Sequence, residues 1–169
     1  MPDSELVVSD TSPLLNLALI DRLDLLEAQF SSITAPREVW DELTAGEDGI
    51  ETLSERRESG FIEVVAVEYS NLFTEISQQL DLGETAAICY AIEHNAELLL
   101  LDEKEGRRVA RRHDLCTTGV IGILIEASET SDVTLKDELD ALRESGFWIA
   151  EDLYSEILSQ VGETDSTQG

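Results

Sequence analysis

Cysteine, lysine and long apolar runs are scarce in this sequence, and each shortage removes a class of protein. The two cysteines, Cys89 and Cys116, are too few for a disulfide framework and lack the paired spacing of a zinc site. No apolar stretch approaches the ~20 residues that span a bilayer. The opening "MPDSELVVSDTSP" has no basic region leading into an apolar run, so no signal peptide is expected and the chain reads as soluble and cytoplasmic. Only two of the 11 basic residues are lysines, Lys104 and Lys136, against 37 acidic residues and a net charge of −26. The acids are scattered along the chain and not gathered in a tail. Such spread acidity fits a protein adapted to high intracellular salt, as in a halophile, with an acidic interaction surface as the alternative. Charge of this kind speaks to solubility and association, not to fold.

At 169 residues the chain matches one domain of the usual ~100–200 residues and buries roughly 70% of its unfolded surface. One domain is expected over 1–161, with a disordered tail at 162–169. Short strands are expected at 5–9, 31–35, 61–67, 96–101 and 115–118. Helices are expected from Pro13, with Ser12 as N-cap, then at 22–30, from Pro36 through "PREVWDELTA", and at 50–59, 71–80, 83–95 and 103–113. Further helices follow from "GVIGILIEAS" and at 134–145 and 151–160. "AELLLL" is apolar on both parities, as a parallel strand buried on both faces should be. Strands alternating with helices predict an α/β fold with a parallel sheet between helices. Ligands in such sheets bind outside the carboxyl ends of the strands.

Two strands end at aspartates, Asp10 in "LVVSD" and Asp102 in "LLLLD". Glu84 opens a helix and heads an apolar stripe of Ala87, Ile88, Ala91 and Ile92, where a carboxylate is costly unless it is paired or binds a metal. Glu42 borders Val39 and Leu43. Each has a plainer reading. Asp102 with Glu105, and Asp81 with Glu84, have capping-box spacing, acids favour helix N-termini anyway, and Glu42 could be a solvated surface acid like Glu38 and Asp41. Together, oxygen-only ligands suit Mg²⁺ or Mn²⁺, ions that activate water and stabilise displacement at a phosphodiester. His94 and His113 stand alone and read as helix-end residues, not ligands. Other phosphate-handling folds fit less well. The first strand is followed by "DTS", not D-x-D, no glycine-rich G-x-G-x-x-G follows it, and both lysines fall in helical stretches rather than after a late strand.

"VVSDTSPLLNLALIDRLDLL", "APREVWDEL", "LDLGETAAICYAIEHNAELLLLDEKEGRRVA" and "TTGVIGILIEA" resemble the PIN-domain nucleases, most closely a prokaryotic subgroup akin to VapC toxins. The resemblance covers about residues 5–130, and "ESGFWIAEDLYSEIL" resembles that subgroup's ending. It implies a three-layer fold with a small parallel sheet, and acids gathered at one end around Mg²⁺ or Mn²⁺. By position, Asp10, Glu42, Glu84 and Asp102 match the family's catalytic acids, with Asp10, Glu84 and Asp102 on the metal. Ser12 matches a hydroxyl that often lies beside it. One departure is that many members carry a further acid after the last strand, where this chain has Thr117 and Thr118.

The resemblance implies a metal-dependent endoribonuclease, the toxin of a toxin–antitoxin pair with a cognate antitoxin, usually a homodimer. A catalytically inactive nucleic-acid-binding or regulatory protein of the same fold is the alternative. Four arginines, Arg107, Arg108, Arg111 and Arg112, follow Asp102 closely. As i,i+4 pairs they present two adjacent rows, suited to bidentate phosphate contact. Alternatively, Glu103 pairs with Arg107 and the rest decorate the surface, or the cluster receives an acidic partner segment.

Overall fold

The structure, a computed structural model, describes residues 5–162. Five parallel strands form one sheet in the order β3-β2-β1-β4-β5. They are β1 (Val7–Ser9), β2 (Ile33–Pro36), β3 (Ile62–Val65), β4 (Leu98–Leu100) and β5 (Thr117–Thr118). Helices α1 (Thr11–Leu19) and α2 (Asp24–Gln29) join β1 to β2, and α3 (Arg37–Ala45) and α4 (Ile50–Glu58) join β2 to β3. Helices α5 (Asn71–Ser77) and α6 (Leu82–Glu93) lead to β4, and α7 (Lys104–Arg112) leads to β5. The chain continues through α8 (Val120–Thr130), α9 (Leu135–Glu144) and α10 (Glu151–Gln160).

Alternation along the central strands sorts the core into two layers. Val7, Ile33, Ala35 and Leu100 point into one cluster with α1, α2 and α8 to α10, including Leu14, Leu17, Leu26, Leu124 and Leu139. Val8, Leu99 and Leu101 point into the other, with Phe73, Ile76, Ile88, Val109 and Ala110 from α5 to α7. Burial on both faces explains the unbroken leucines of β4. The expected α/β, three-layer, PIN-like architecture is present.

Several elements are shorter or shifted by a few residues from the sequence reading, and two of these differences have a clear cause. α1 begins at Thr11 with Asp10 in the N-cap position, two residues before Pro13. A first-turn N–H has no partner inside the helix, so proline fits the third helical position as well as the first. Ser12 does not cap; its hydroxyl is used elsewhere. β3 stops at Val65 rather than residue 67 because its one neighbour, β2, ends opposite it at Pro36 and turns into α3. The tail expected at 162–169 lies, apart from Gly162, outside the described residues. Among the described residues, no helix is long and apolar enough to cross a membrane.

Candidate active site

β1 connects to β2 on one side, while the chain leaving β3 crosses to β4 on β1's other side. Neighbouring connections therefore diverge between β1 and β4, opening a crevice at their carboxyl ends, the usual ligand position in such sheets. Asp10 directly follows β1, and Asp102 lies two residues beyond β4. The Asp10 N–H donates to the Leu100 carbonyl at 2.9 Å, stitching the two strand ends together.

Asp10 is only 4% exposed. Its carboxyl is pushed up to about 7, first by burial and then by repulsion from Glu84, Asp81 and Glu42, against the Thr11 backbone N–H that favours the charged form. Glu84, in the first turn of α6 and 7% exposed, is likewise raised to about 7 by burial, with Asp81, Glu103 and Glu42 adding repulsion. Asp81 caps α6, accepting the Glu84 N–H at 2.9 Å. The Asp81 backbone N–H favours the charged form of Glu84 in return, while Glu84 Oε2 is buried without a hydrogen-bond partner. Two buried acids and an orphaned carboxylate oxygen form an electrostatic debt that wants a cation.

Glu42 reaches the same place from α3. Its Oε1 accepts from Thr11 Oγ1 at 2.6 Å. It rests against Gly83, where a Cβ would collide with that oxygen and stand 3.5 Å from Asp10 Oδ1. The absent side chain at Gly83 thus lets the carboxylates of Asp10, after β1, and Glu42, on α3, approach the head of α6.

Asp102 is held differently. Its Oδ2 accepts from Ser12 Oγ at 2.6 Å, and its Oδ1 accepts from the Val120 N–H at 2.8 Å. Asn16, one turn along α1, donates to Ser12 Oγ at 3.0 Å and to the Ser12 carbonyl at 2.9 Å. A Cβ on Gly119 would collide with Asp102 Oδ1. The capping-box reading of Asp102 with Glu105 fails, because Glu103 occupies the N-cap position of α7 and no side chain caps that helix. Asp102 therefore flanks the other three acids and joins them through Ser12, next to Thr11. Sequence reasoning missed Thr11, Asn16, Gly83 and Gly119. The i,i+4 spacing of Ser12 and Asn16 was the one local clue.

α7 closes the other side of the crevice. A Cβ on Gly106 would stand 3.0 Å from Glu84 Oε2, so this helix backs directly onto the buried acid. Arg108 pairs with Glu105 at 2.5 Å. The alternative pairing of Glu103 with Arg107 is absent among the described residues; the two are joined only by the helical backbone bond. Among the described residues, Arg107, Arg111 and Arg112 form no ion pair. His94 and His113 sit at the carboxyl ends of α6 and α7, where His94 stacks on Tyr90 at 4.0 Å.

The donor set fits an oxygen-preferring divalent ion. Asp10 and Glu84 are the residues whose burial a cation would relieve, and Glu42 and Asp102 are within reach through Thr11 and Ser12. Among the described residues, however, no three His, Cys, Asp or Glu side chains stand together as a ready-made metal cage. Glu42 and Asp102 are instead hydrogen-bonded to hydroxyls and to a backbone amide.

The family model DUF3368, a PIN domain, matches residues 6–163. A search of curated proteins gives no match. Since the match spans nearly the whole chain, this protein belongs to that PIN-domain family. PIN domains are generally nucleases, which gives it a nuclease-type function.

Proposed function

From that membership, we propose that the protein is a Mg²⁺- or Mn²⁺-dependent endoribonuclease, the toxin of a type II toxin–antitoxin pair, akin to VapC and working in the cytoplasm of a halophile. The observation that carries the catalytic reading is the buried pair Asp10 and Glu84, both raised to about 7, with Glu84 Oε2 unpartnered. A divalent ion at these oxygens would supply charge stabilisation at the phosphate and a lowered pKa for the attacking water. Asp10, Glu84 and Asp102 would hold it. Glu84 would also orient the attacking water. Glu42, fixed by Thr11, orders the edge of the site. Ser12 holds Asp102 and faces the substrate.

Arg107, Arg108 and Arg111 take the phosphates beside the scissile one. At ~1 M salt the Debye length is only ~3 Å, so distant carboxylates scarcely repel RNA. Such salt also weakens phosphate contacts, so recognition rests on metal bridging and close contacts, not long-range steering. A homodimer and a cognate antitoxin complete the proposal.

The test is RNA cleavage with Mn²⁺ in high salt by wild type and Asp102→Asn. Cleavage by wild type alone supports the enzyme, and equal cleavage by both ends this reading. One observation favours a second reading, a binding protein without turnover: Thr117 and Thr118 stand where many relatives have an acid, and Asp102 has both oxygens engaged. RNA affinity with no cleavage at any metal concentration would establish it.

A further inference from the structure

On the side of the acids away from α7, the loop after β3 carries Tyr69, one of the few large apolar side chains left in solvent, at 57% exposure. Its ring is fixed. One face stacks on Phe73, with centroids 3.9 Å apart and planes 12° apart, and Phe73 is itself buried in the core. The hydroxyl donates to Glu38 Oε2 at 2.6 Å. That bond pushes the phenol up to about 12, so the ring stays uncharged across the working pH range. The anchor also locates the ring. Glu38 lies one turn before Glu42 on α3, where side chains four apart are neighbours, and Glu42 touches Thr11 beside Asp10. Leu82, 52% exposed, stands next to Gly83 at the head of α6.

We propose that Tyr69 is a stacking platform for an unpaired nucleobase next to the scissile phosphate, so that the substrate is bound single-stranded there. This deepens the nuclease reading and rests on it. An aromatic ring with one face on the core and its edge tethered offers the other face to a base at little entropic cost. Stacking is sequence-tolerant because every base has a π-face. The acids around the ring, Glu38 and exposed Glu68, disfavour phosphate. The base therefore turns toward Tyr69 while the sugar–phosphate chain passes the acid crevice toward the arginines of α7. A paired base could not reach the ring, whereas a strand with splayed bases could.

Fluorescence anisotropy with fluorescein-labelled 12-nucleotide oligouridylate and oligoadenylate tests this. The assay uses Ca²⁺, another oxygen-preferring ion, in place of Mn²⁺ and in the high salt used for cleavage, and a gel confirms that the oligomers stay intact. Tyr69→Ala is expected to weaken binding about 5- to 150-fold, equivalent to ~1–3 kcal/mol per stacked base. Tyr69→Phe should lose little, and Tyr69→Trp should bind as well or better. An abasic nucleotide at one position should cost wild type a similar factor and cost Tyr69→Ala almost nothing.

Wild-type binding that Tyr69→Ala leaves unchanged overturns the platform and leaves the nuclease reading standing. An equal loss for Tyr69→Ala on the intact oligomer and on every abasic one also overturns it. So does unchanged affinity with altered self-association, which would make the ring a protein contact. No wild-type binding to either oligomer overturns the platform, and cleavage of the same oligomers with Mn²⁺ then decides the nuclease reading separately.

Discussion

The starts of α6 and α7 carry the same spacing, an acid followed three residues later by a glutamate, yet the two acids do different work. At α6, Asp81 caps the helix with its carboxylate, while Glu84 stays buried in the crevice with Oε2 unpartnered. At α7, Asp102 ignores its own helix and bonds to Ser12 on α1 and to the Val120 N–H of α8, while Glu105 turns outward to Arg108. One motif thus keeps its first acid for capping and exports its second, and the other exports its first. Spacing identifies an acid at a helix start; tertiary contacts decide whether it serves the helix or the site.

The largest effect should come from neutralising an exported acid. Asp10→Asn or Glu84→Gln should lower RNA cleavage by ~10²–10⁴-fold, measured as single-turnover rates at saturating Mn²⁺. Asp81→Asn, which keeps a capping side chain and removes only a repelling neighbour of the two acids, should stay within a few-fold of wild type. Near-equal rates for Glu84→Gln and Asp81→Asn would erase the distinction between the two roles.

Next comes pH. Asp10 and Glu84 are raised from their ordinary 3.8 and 4.5 to about 7, so the folded chain binds more protons than the unfolded chain between those limits. Metal-free protein should therefore lose stability as pH rises from about 4 to about 7 and level off above it. Glu84→Gln should flatten this slope and raise the melting temperature at pH 8, while Mn²⁺ should stabilise wild type by mass action. Differential scanning calorimetry at constant ionic strength would show it. A metal-free melting temperature that climbs through that window would contradict the burial of these acids.

Smaller effects should follow from the glycines that make room for the carboxylates. Gly83→Ala should displace Glu42, and Gly119→Ala should push Asp102 off the Val120 N–H, each cutting cleavage by about tenfold or more, since a misplacement near 1 Å can cost ~10²-fold. Calorimetry should show most of the fold retained. The smallest effect separates the two helix starts themselves. Asp81→Ala should cost ~1 kcal/mol through loss of the cap, whereas Glu105→Gln, which breaks an exposed pair, should leave the melting temperature unchanged.

The strand ends were legible because short β-branched or leucine runs closing at a carboxylate need no tertiary information, and Asp10 and Asp102 followed from them. Glu84 was legible from the apolar row behind it. The start of α1 was misread because Ser12 and Pro13 mimic a cap and a first helical residue, while Ser12's true partner lies 90 positions away. The contacts from Thr11 to Glu42 and from Tyr69 to Glu38 each span 31 residues and leave no periodic trace. Nor does a glycine announce that a carboxylate from another element fills the space of its missing side chain.

Calorimetric titration of Mn²⁺ into metal-free protein at pH 8 tests the shared-cation claim most directly. The account predicts saturable binding in wild type, weakened at least tenfold in both Asp10→Asn and Glu84→Gln and kept in Asp81→Asn. Equal affinity in all four proteins, or no saturable binding in wild type, would contradict it.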